Sequence, residues 1–253
     1  MKKNTQRSLQ KLNIIAGTFH SVLALGILYF SNSFSLPVTA TYLAGPPGSA
    51  FTDPVVLFSV RIGYAVALFL ALSATFHFIV ASKTFFKRYI GGLHNKINVF
   101  RWVEYSISST LMILLIAQIT GISNYGALLA IAGANASMIL FGWLQEKYES
   151  PGSGGWLPFI FGCIAGIVPW LVVLIAVLSP GSPSSATPPA FVYGIIVSIF
   201  VLFNSFALIQ YKQYKAKGKW KDYLRGERAY VILSFTAKAA LAIQIFANTL
   251  IPN

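Results

Sequence analysis

The chain of 253 residues is 56% hydrophobic and only 10% charged, and its mean hydropathy is +0.68. These values describe an integral membrane protein and exclude a soluble globular domain. The formal net charge of +13 does not indicate a nucleic-acid partner, because the basic residues lie mainly in the connections between apolar segments. The single cysteine, Cys163, excludes an intramolecular disulfide framework.

Runs of about twenty apolar residues, long enough to cross the hydrocarbon core of a membrane, follow one another along the chain. They predict an all-α membrane protein, a single domain of seven transmembrane helices at 12–31, 54–81, 98–120, 126–145, 156–178, 189–211 and 228–250. The second segment is long enough to tilt or to protrude. The basic start Met1–Arg7 resembles that of a signal peptide, but no clean cleavage site follows, so we expect an uncleaved first helix.

The basic residues are distributed unequally between the two sides of the predicted bundle. One side carries Lys2, Lys3, Arg7, Lys11, Lys83, Lys87, Arg88, Lys96, Arg101, Lys147, Lys212, Lys215, Lys217, Lys219, Lys221, Arg225 and Arg228. The other carries Arg61, and its connections at 32–53, 121–125 and 179–189 contain no Lys or Arg. The positive-inside rule therefore predicts a cytoplasmic N-terminus and an extracellular C-terminus. We interpret the basic clusters as topogenic charge in contact with anionic lipids, in preference to a partner-binding patch.

Two outer connections have distinct compositions. Leu36–Tyr42 alternates loosely between apolar and polar residues before the turn-forming Gly45–Gly48, which favours a short extracellular β-hairpin after the first helix. The Ser- and Pro-rich connection at 179–189 is typical of a flexible or extended linker.

Lys238 lies near the middle of the seventh segment, about ten residues from either boundary and too deep for its side chain to reach water. An ionisable residue at membrane depth marks a functional site by default. Five of the six acidic residues lie in or beside predicted loops, which leaves Glu104 in the third segment as its partner. Both segments begin on the cytoplasmic side, so the two side chains can meet in the inner half of the bundle. The alternative is a structural ion pair, with Arg101 competing for Glu104.

Further polar side chains occur at a similar depth and could line one cavity on the cytoplasmic side: His20, His77, Asn98, Arg101 and Ser234. Two histidines near a carboxylate can hold water and accept a proton. They could also indicate zinc. However, no two histidines have the spacing of a pair on one helix face, and catalytic zinc needs three protein ligands, so we expect no metal site.

Two motifs resemble signatures of the heliorhodopsin family of microbial rhodopsins: RWVEYSISST at Arg101–Thr110 and SFTAK at Ser234–Lys238. The resemblance extends over the whole chain, and the predicted orientation, inverted relative to ordinary microbial rhodopsins, agrees with it. It implies retinal, all-trans in the dark, bound to Lys238 as a protonated Schiff base with Glu104 as the counterion.

The same resemblance implies two further sets of residues. The retinal pocket would include Ser234, Tyr105, Ser108, Met138, Trp170 and Phe203, and the polar cavity would include His20, His77, Ser73, Asn98, Arg101, Trp102 and Asn135. Pumping relatives carry a second counterion Asp where this chain has Ser234, and a proton-donating carboxylate near the position of Leu115. We therefore expect no net ion pumping.

The expected protein is a light-sensing photoreceptor of the cell membrane, not an enzyme, whose photoisomerisation reorganises the polar cavity and alters the cytoplasmic face. The loop between the sixth and seventh helices is a candidate surface for an unknown cytoplasmic signalling partner. The resemblance also implies a homodimer to which the outer hairpin contributes. Two alternatives remain: a light-gated ion channel or weak proton transporter with the same chromophore, and a seven-helix zinc membrane hydrolase without retinal.

Overall fold

The computed structural model describes residues 3–179 and 188–251. Within these ranges the chain forms eight α-helices and one two-stranded antiparallel sheet. In chain order the elements are α1 (Lys3–Phe30), β1 (Ser35–Ala40), β2 (Val55–Arg61), α2 (Ile62–Ala81), α3 (Phe86–His94), α4 (Val99–Ile119), α5 (Tyr125–Tyr148), α6 (Leu157–Leu178), α7 (Ala190–Lys215) and α8 (Tyr223–Ile245). A 3₁₀ turn, Gly218–Lys221, precedes α8, and a π-helical turn, Phe246–Leu250, extends it. Most of the predicted linker at 179–189 lies outside the described residues.

Seven of the described helices, all except α3, are long and apolar enough to cross a membrane. The predicted number of transmembrane helices is therefore confirmed, and the chain is a multi-pass membrane protein. Several helices run past their predicted ends, because polar and basic residues continue the helix beyond the apolar run. α1 begins at Lys3 rather than at 12, α7 ends at Lys215 rather than at 211, and α8 begins at Tyr223 rather than at 228.

The second predicted segment, 54–81, was wrong at its start. Val55–Arg61 form strand β2, and helix α2 begins only at Ile62. The error has a physical reason: the apolar residues of β2 run directly into α2, but they are rich in valine, which suits a strand. β2 pairs with β1 in an antiparallel register that is interrupted between Val38 and Thr39. The predicted pair of strands is thus present, and its second strand comes from residues that had been predicted as helical.

Hydrogen bonds between distant connections identify the two ends of the bundle. At one end, Asn32 N–H donates to the carbonyl of Leu250 at 2.9 Å, and Thr39 N–H to that of Ser123 at 2.8 Å, so the sheet meets the ends of α1 and α8 and the α4–α5 connection. We call this the sheet end. At the opposite end Gly152 N–H donates to the carbonyl of Tyr214 at 2.8 Å. We call this the basic end, because Lys83–Lys96, Lys147 and Lys212–Arg228 lie there.

Within residues 3–179 and 188–251 the buried apolar residues form two separate clusters. The larger one fills the bundle between α1, α2 and α4–α8 and includes Phe69, Ile113 and Leu241. The smaller one lies at the basic end and packs the surface helix α3 against its neighbours: Leu9, Val80, Tyr89, Ile90, Leu93 and Tyr223. Helix α3 was not predicted, because nine residues with one apolar face are too short to stand out from a loop.

Candidate functional site

Lys238 of α8 and Glu104 of α4 form an ion pair inside the bundle. The Lys238 Nζ donates a hydrogen bond to Oε1 of Glu104 at 2.7 Å and another to the Oγ of Ser234, one turn earlier on α8, at 2.8 Å. Ser73 of α2 donates its hydroxyl to the same Glu104 oxygen at 2.6 Å. The lysine and glutamate side chains are only 4% and 7% exposed. Three helices thus converge on one buried pair of opposite charges, and α4 and α8 supply its two members.

Apolar and aromatic side chains enclose the space beside the Lys238 amine. A cavity of about 40 Å³ is lined by Lys238 and Ser108, and it adjoins a larger one of about 370 Å³. Residues shared by both cavities are Tyr105, Met138, Ile139, Phe203 and Phe206. Trp170, which follows Pro169 inside α6, lines the larger cavity with its ring 5.6 Å from that of Phe203.

The arrangement fits a long apolar aldehyde. Small-molecule sites in proteins occupy roughly 300–1,000 Å³ and combine apolar walls with a few placed polar groups. Here the Lys238 amine borders a space with aromatic and aliphatic walls, and the Tyr105 ring lies 5.0 Å from the Lys238 Nζ. Ser108, Asn204 and Gln210 add a few further polar groups. The six residues assigned to a retinal pocket by resemblance all lie around this space or at the ion pair. The lining residues therefore fit retinal, and Lys238 supplies the amine at this space.

Two histidines lie next to the ion pair on the side toward the basic end. His20 of α1 is fully buried, and its ring stacks on that of His77 of α2 with 5.7 Å between the centroids. His77 Nδ1 is 2.8 Å from the Oδ1 of Asn13 on α1. Within the described residues neither ring nitrogen of His20 has a hydrogen-bond partner. The pair is therefore polar and enclosed, and the His20 ring nitrogens, which lack a partner in the described part of the chain, can bind water.

Arg101 does not pair with Glu104, one turn away on the same helix. Instead its guanidinium forms ion pairs with Glu146 of α5 and Glu227 of α8. Both glutamates, expected in or beside loops, lie inside helices α5 and α8, and each is at most 4% exposed. The reason is that α5 and α8 extend past the apolar runs, which carries both carboxylates onto helical turns facing α4.

Five further donors surround the two carboxylates of this Arg101 cluster. Glu146 accepts from the Asn98 N–H at 3.0 Å, the Trp102 Nε1 at 2.6 Å and the Tyr223 hydroxyl at 2.9 Å. Glu227 accepts from the Asn98 Nδ2 at 2.7 Å and the Tyr89 hydroxyl at 3.1 Å. These bonds join α3, α4, α5 and α8.

Tyr89 is the contribution of the surface helix α3 to the Arg101 cluster. Burial, together with the nearby negative charge of Glu227, raises the pKa of the Tyr89 hydroxyl well above its ordinary value. The phenol therefore stays neutral and continues to donate its hydrogen bond at any ordinary pH.

A small cavity of about 40 Å³ connects the Lys238 site with the Arg101 cluster. Its lining includes Ser73, His77 and Glu104 from the first and Asn98, Arg101 and Glu227 from the second. Three residues assigned to a polar cavity do not line this one. His20 is outside its lining and stacks on His77, which does line it. Trp102 lines the larger apolar cavity, and Asn135 of α5 donates to the hydroxyls of Ser109 and Thr110 at 2.8 and 3.0 Å. Trp102 and the two hydroxyls that bind Asn135 lie on the side of α4 that is turned toward α5.

Four members of the Arg101 cluster were not predicted from the sequence as site residues: Glu146, Glu227, Tyr89 and Tyr223. One signal was available for the residues on α8: Asp222 followed by Tyr223-Leu224-Arg225 is a helix start, and its carboxylate accepts from the Leu224 N–H at 3.0 Å. Placing the helix start there would have brought Glu227 inside the helix, one turn beyond Tyr223.

Comparison with known families gives one finding over nearly the whole chain. The heliorhodopsin family model matches residues 9–250. No curated protein matches the chain.

Proposed function

The chain belongs to the heliorhodopsin family, and from this premise we propose that it is a light-sensing photoreceptor with retinal held on Lys238 as a protonated Schiff base and Glu104 as its counterion. Family membership supports a retinal-binding, rhodopsin-type photoreceptor. The single observation that carries the finer assignment is the buried Lys238–Glu104 pair, with 2.7 Å between nitrogen and oxygen, beside an aromatic cavity.

When bound, retinal absorbs visible light and isomerises. The residues of this chain stabilise the positive charge on the Lys238 nitrogen. A cation at membrane depth is stable only beside an anion, and Glu104 supplies the anion at the Lys238 nitrogen. Ser73 fixes the carboxylate by donating to it at 2.6 Å, and Ser234 supplies a hydroxyl at 2.8 Å from the nitrogen. The aromatic walls exclude water.

The position of the polar side chains supports a receptor that does not pump ions. A transmembrane proton path needs relay groups on both sides of the charged site. The histidines and the Arg101 cluster lie toward the basic end. Toward the sheet end α4 instead buries Met112, Ile113, Leu115 and Ile116 in the main core. We propose that a proton released at Lys238 stays with His20 and His77. A sustained light-driven pH change in cells, or photocurrents under voltage clamp, would contradict this and favour a transporter or channel.

We also propose that the basic end faces the cytoplasm, which places the N-terminus inside and the sheet outside. The excess of Lys and Arg at this end supports the orientation through the positive-inside rule. Strand β2 leaves Val55, Val56, Leu57 and Phe58 about half exposed, on both of its faces. An exposed apolar strand is compatible with the proposed homodimer, in which it would be covered by a second copy. The oligomeric state in native lipid tests this.

The decisive experiment is reconstitution with all-trans retinal. We expect a coloured protein that hydroxylamine bleaches under illumination, and a Lys238→Ala variant that stays colourless. Lys215→Ala is the matched control, because it removes an exposed lysine at the end of α7. A chain that stays colourless with added retinal, or a Lys238→Ala variant that colours normally, would refute the proposal.

A further inference from the structure

Helix α3 (Phe86–His94) is a short surface helix whose two faces differ sharply. Its buried face consists of Tyr89, Ile90 and Leu93. Its outer face and flanking turns expose the basic side chains Lys83, Lys87, Arg88 and Lys96, and the sequence between Ala81 and Glu104 contains no acidic residue. The helix is thus amphipathic and positively charged on its free side.

The location of α3 places that charge at the level of lipid headgroups. It connects α2, which ends at Ala81, to α4, which begins at Val99, and both of these helices are membrane spans. A short amphipathic helix between two spans lies near the membrane surface, with basic residues available to anionic lipids. Phe85, at the start of the helix, is 38% exposed and can enter the headgroup region.

The buried face of α3 belongs to the smaller apolar cluster, not to the core of the bundle. Its polar link to the interior is the Tyr89 hydroxyl, which donates to Glu227 at 3.1 Å. Glu227 in turn pairs with Arg101. A shift of Arg101 or Glu227 therefore acts directly on α3.

Arg101 is linked to the Lys238 site by contacts within the bundle. Its guanidinium lies 4.0 Å from the centre of the Tyr230 ring. The Tyr230 carbonyl accepts a hydrogen bond from the Tyr105 hydroxyl at 3.0 Å, and the Tyr105 ring lies 5.0 Å from the Lys238 Nζ. Glu104 and Arg101 also line the same small cavity. A change in charge or position at Lys238 thus reaches Arg101 by two short routes.

We infer that α3 is a light-responsive contact with anionic lipid headgroups, coupled to the Lys238 site through Tyr89, Glu227 and Arg101. This inference rests on the proposed function. It adds that α3 is the element that responds to light and that anionic lipid is its partner. Four basic side chains at headgroup depth are attracted to an anionic surface, which makes lipid phosphate the ligand that the exposed face fits. The coupling transmits a rearrangement inside the bundle to that face.

The first test follows the position of α3 in the full-length, retinal-loaded protein. A spin label at Gly91→Cys, in a Cys163→Ser background, reports on the exposed face, and a side chain at Gly91 meets no atom within 4 Å. In nanodiscs containing phosphatidylglycerol we expect illumination to change the mobility and depth of the label. Tyr89→Phe, which removes the hydroxyl and with it the link to Glu227, should abolish this change. Tyr223→Phe, which removes an equivalent bond to Glu146, should preserve it.

The second test identifies the partner. We expect the light-induced change to be larger with phosphatidylglycerol than with phosphatidylcholine alone, and the combined variant K83Q/K87Q/R88Q/K96Q to lose this difference. The matched variant K217Q/K219Q/K221Q/R225Q, with the same loss of charge between α7 and α8, should keep it. An equal response in both lipids would overturn the lipid assignment and favour an acidic protein partner.

The two proposals fail in distinguishable ways. A missing visible band refutes the retinal site. A normal visible band and photocycle with a label that does not respond to light, or with a full response in Tyr89→Phe, refutes the role of α3 alone.

Discussion

The Glu104→Gln substitution tests the central electrostatic claim most directly. It replaces a carboxylate by an amide of nearly the same shape, which can still accept a hydrogen bond but no longer supplies a negative charge beside the Lys238 nitrogen. Two unit charges 2.7 Å apart attract by about 6 kcal/mol at an effective dielectric constant of about 20. Removing one member of a buried pair typically costs 3–5 kcal/mol. A loss of this size is enough to deprotonate the retinal-linked nitrogen near neutral pH.

The assay is the visible absorption spectrum of the retinal-loaded variant near pH 7. We expect the visible band to be shifted or lost. Ser73→Ala, which keeps the carboxylate and removes only its hydrogen-bond donor, should give a smaller shift. Glu149→Gln makes the same chemical change at a partly exposed carboxylate directly after α5 and should leave the spectrum unaltered. A Glu104→Gln protein with an unchanged band near neutral pH would refute the assignment of Glu104 as counterion.

Three further substitutions test the architecture around the site. Arg101→Met leaves the buried carboxylates of Glu146 and Glu227 without their cation. It should lower the free energy of unfolding by about 3–5 kcal/mol, measured by thermal unfolding in detergent. Gly142→Ala places a Cβ 2.6 Å from the Trp102 ring, and this overpacking should cost about 1–3 kcal/mol in the same assay. Tyr89→Phe should reduce the loss of stability in alkali. The folded pKa of Tyr89 lies above its unfolded value, so its contribution is complete below about pH 10 and is lost as the pH rises through the folded value.

Each of these substitutions has a matched control on the same chain. Arg88→Met removes an exposed arginine, and Gly133→Ala adds a methyl group that meets nothing within 4 Å. Tyr148→Phe alters a tyrosine that is 68% exposed. We expect all three to change stability by less than about 0.5 kcal/mol. If Arg101→Met lowered the free energy of unfolding no more than Arg88→Met, the ion pairs described for Arg101 would be incorrect. If Gly142→Ala lowered it no more than Gly133→Ala, the close packing of Gly142 against Trp102 would be incorrect. If Tyr89→Phe lost stability in alkali as steeply as the unsubstituted chain, Tyr89 would not be the group responsible.

Hydropathy predicted the number of membrane-spanning helices because lipid allows few other ways to cross it. It could not place the boundary at Ile62, since the valine-rich residues of β2 are as apolar as the helix that follows. Only pairing with β1, about twenty residues earlier in the chain, distinguishes strand from helix there. The short helix α3 was missed for a related reason, because its stability comes from packing against Leu9 and Tyr223, which are remote in sequence.

The candidate site divides in the same way. Lys238 and Glu104 were predictable from sequence because each is an ionisable residue deep within an apolar run, where a partner is required. The partners of Arg101 could not be predicted in this way, because the chain has several glutamates near the ends of predicted helices as well as Glu104 on the same helix. Which of them it contacts depends on how far α5 and α8 extend, and on the rotation of α4, which turns Glu104 toward α8 and α2. Local patterns carry no information about that rotation.

The distance along the chain between the two members of the central pair affects how the protein is made. Glu104 precedes Lys238 by 134 residues. A ribosome adding about 5–20 residues per second therefore needs roughly 7 to 27 s to deliver the lysine after the acid. During that interval the nascent acid enters the bilayer without its cation, so it has to remain protonated or close to water. Insertion of the last helix completes the site, and a chain truncated before that helix would expose a lone carboxyl group to the quality-control machinery of the membrane.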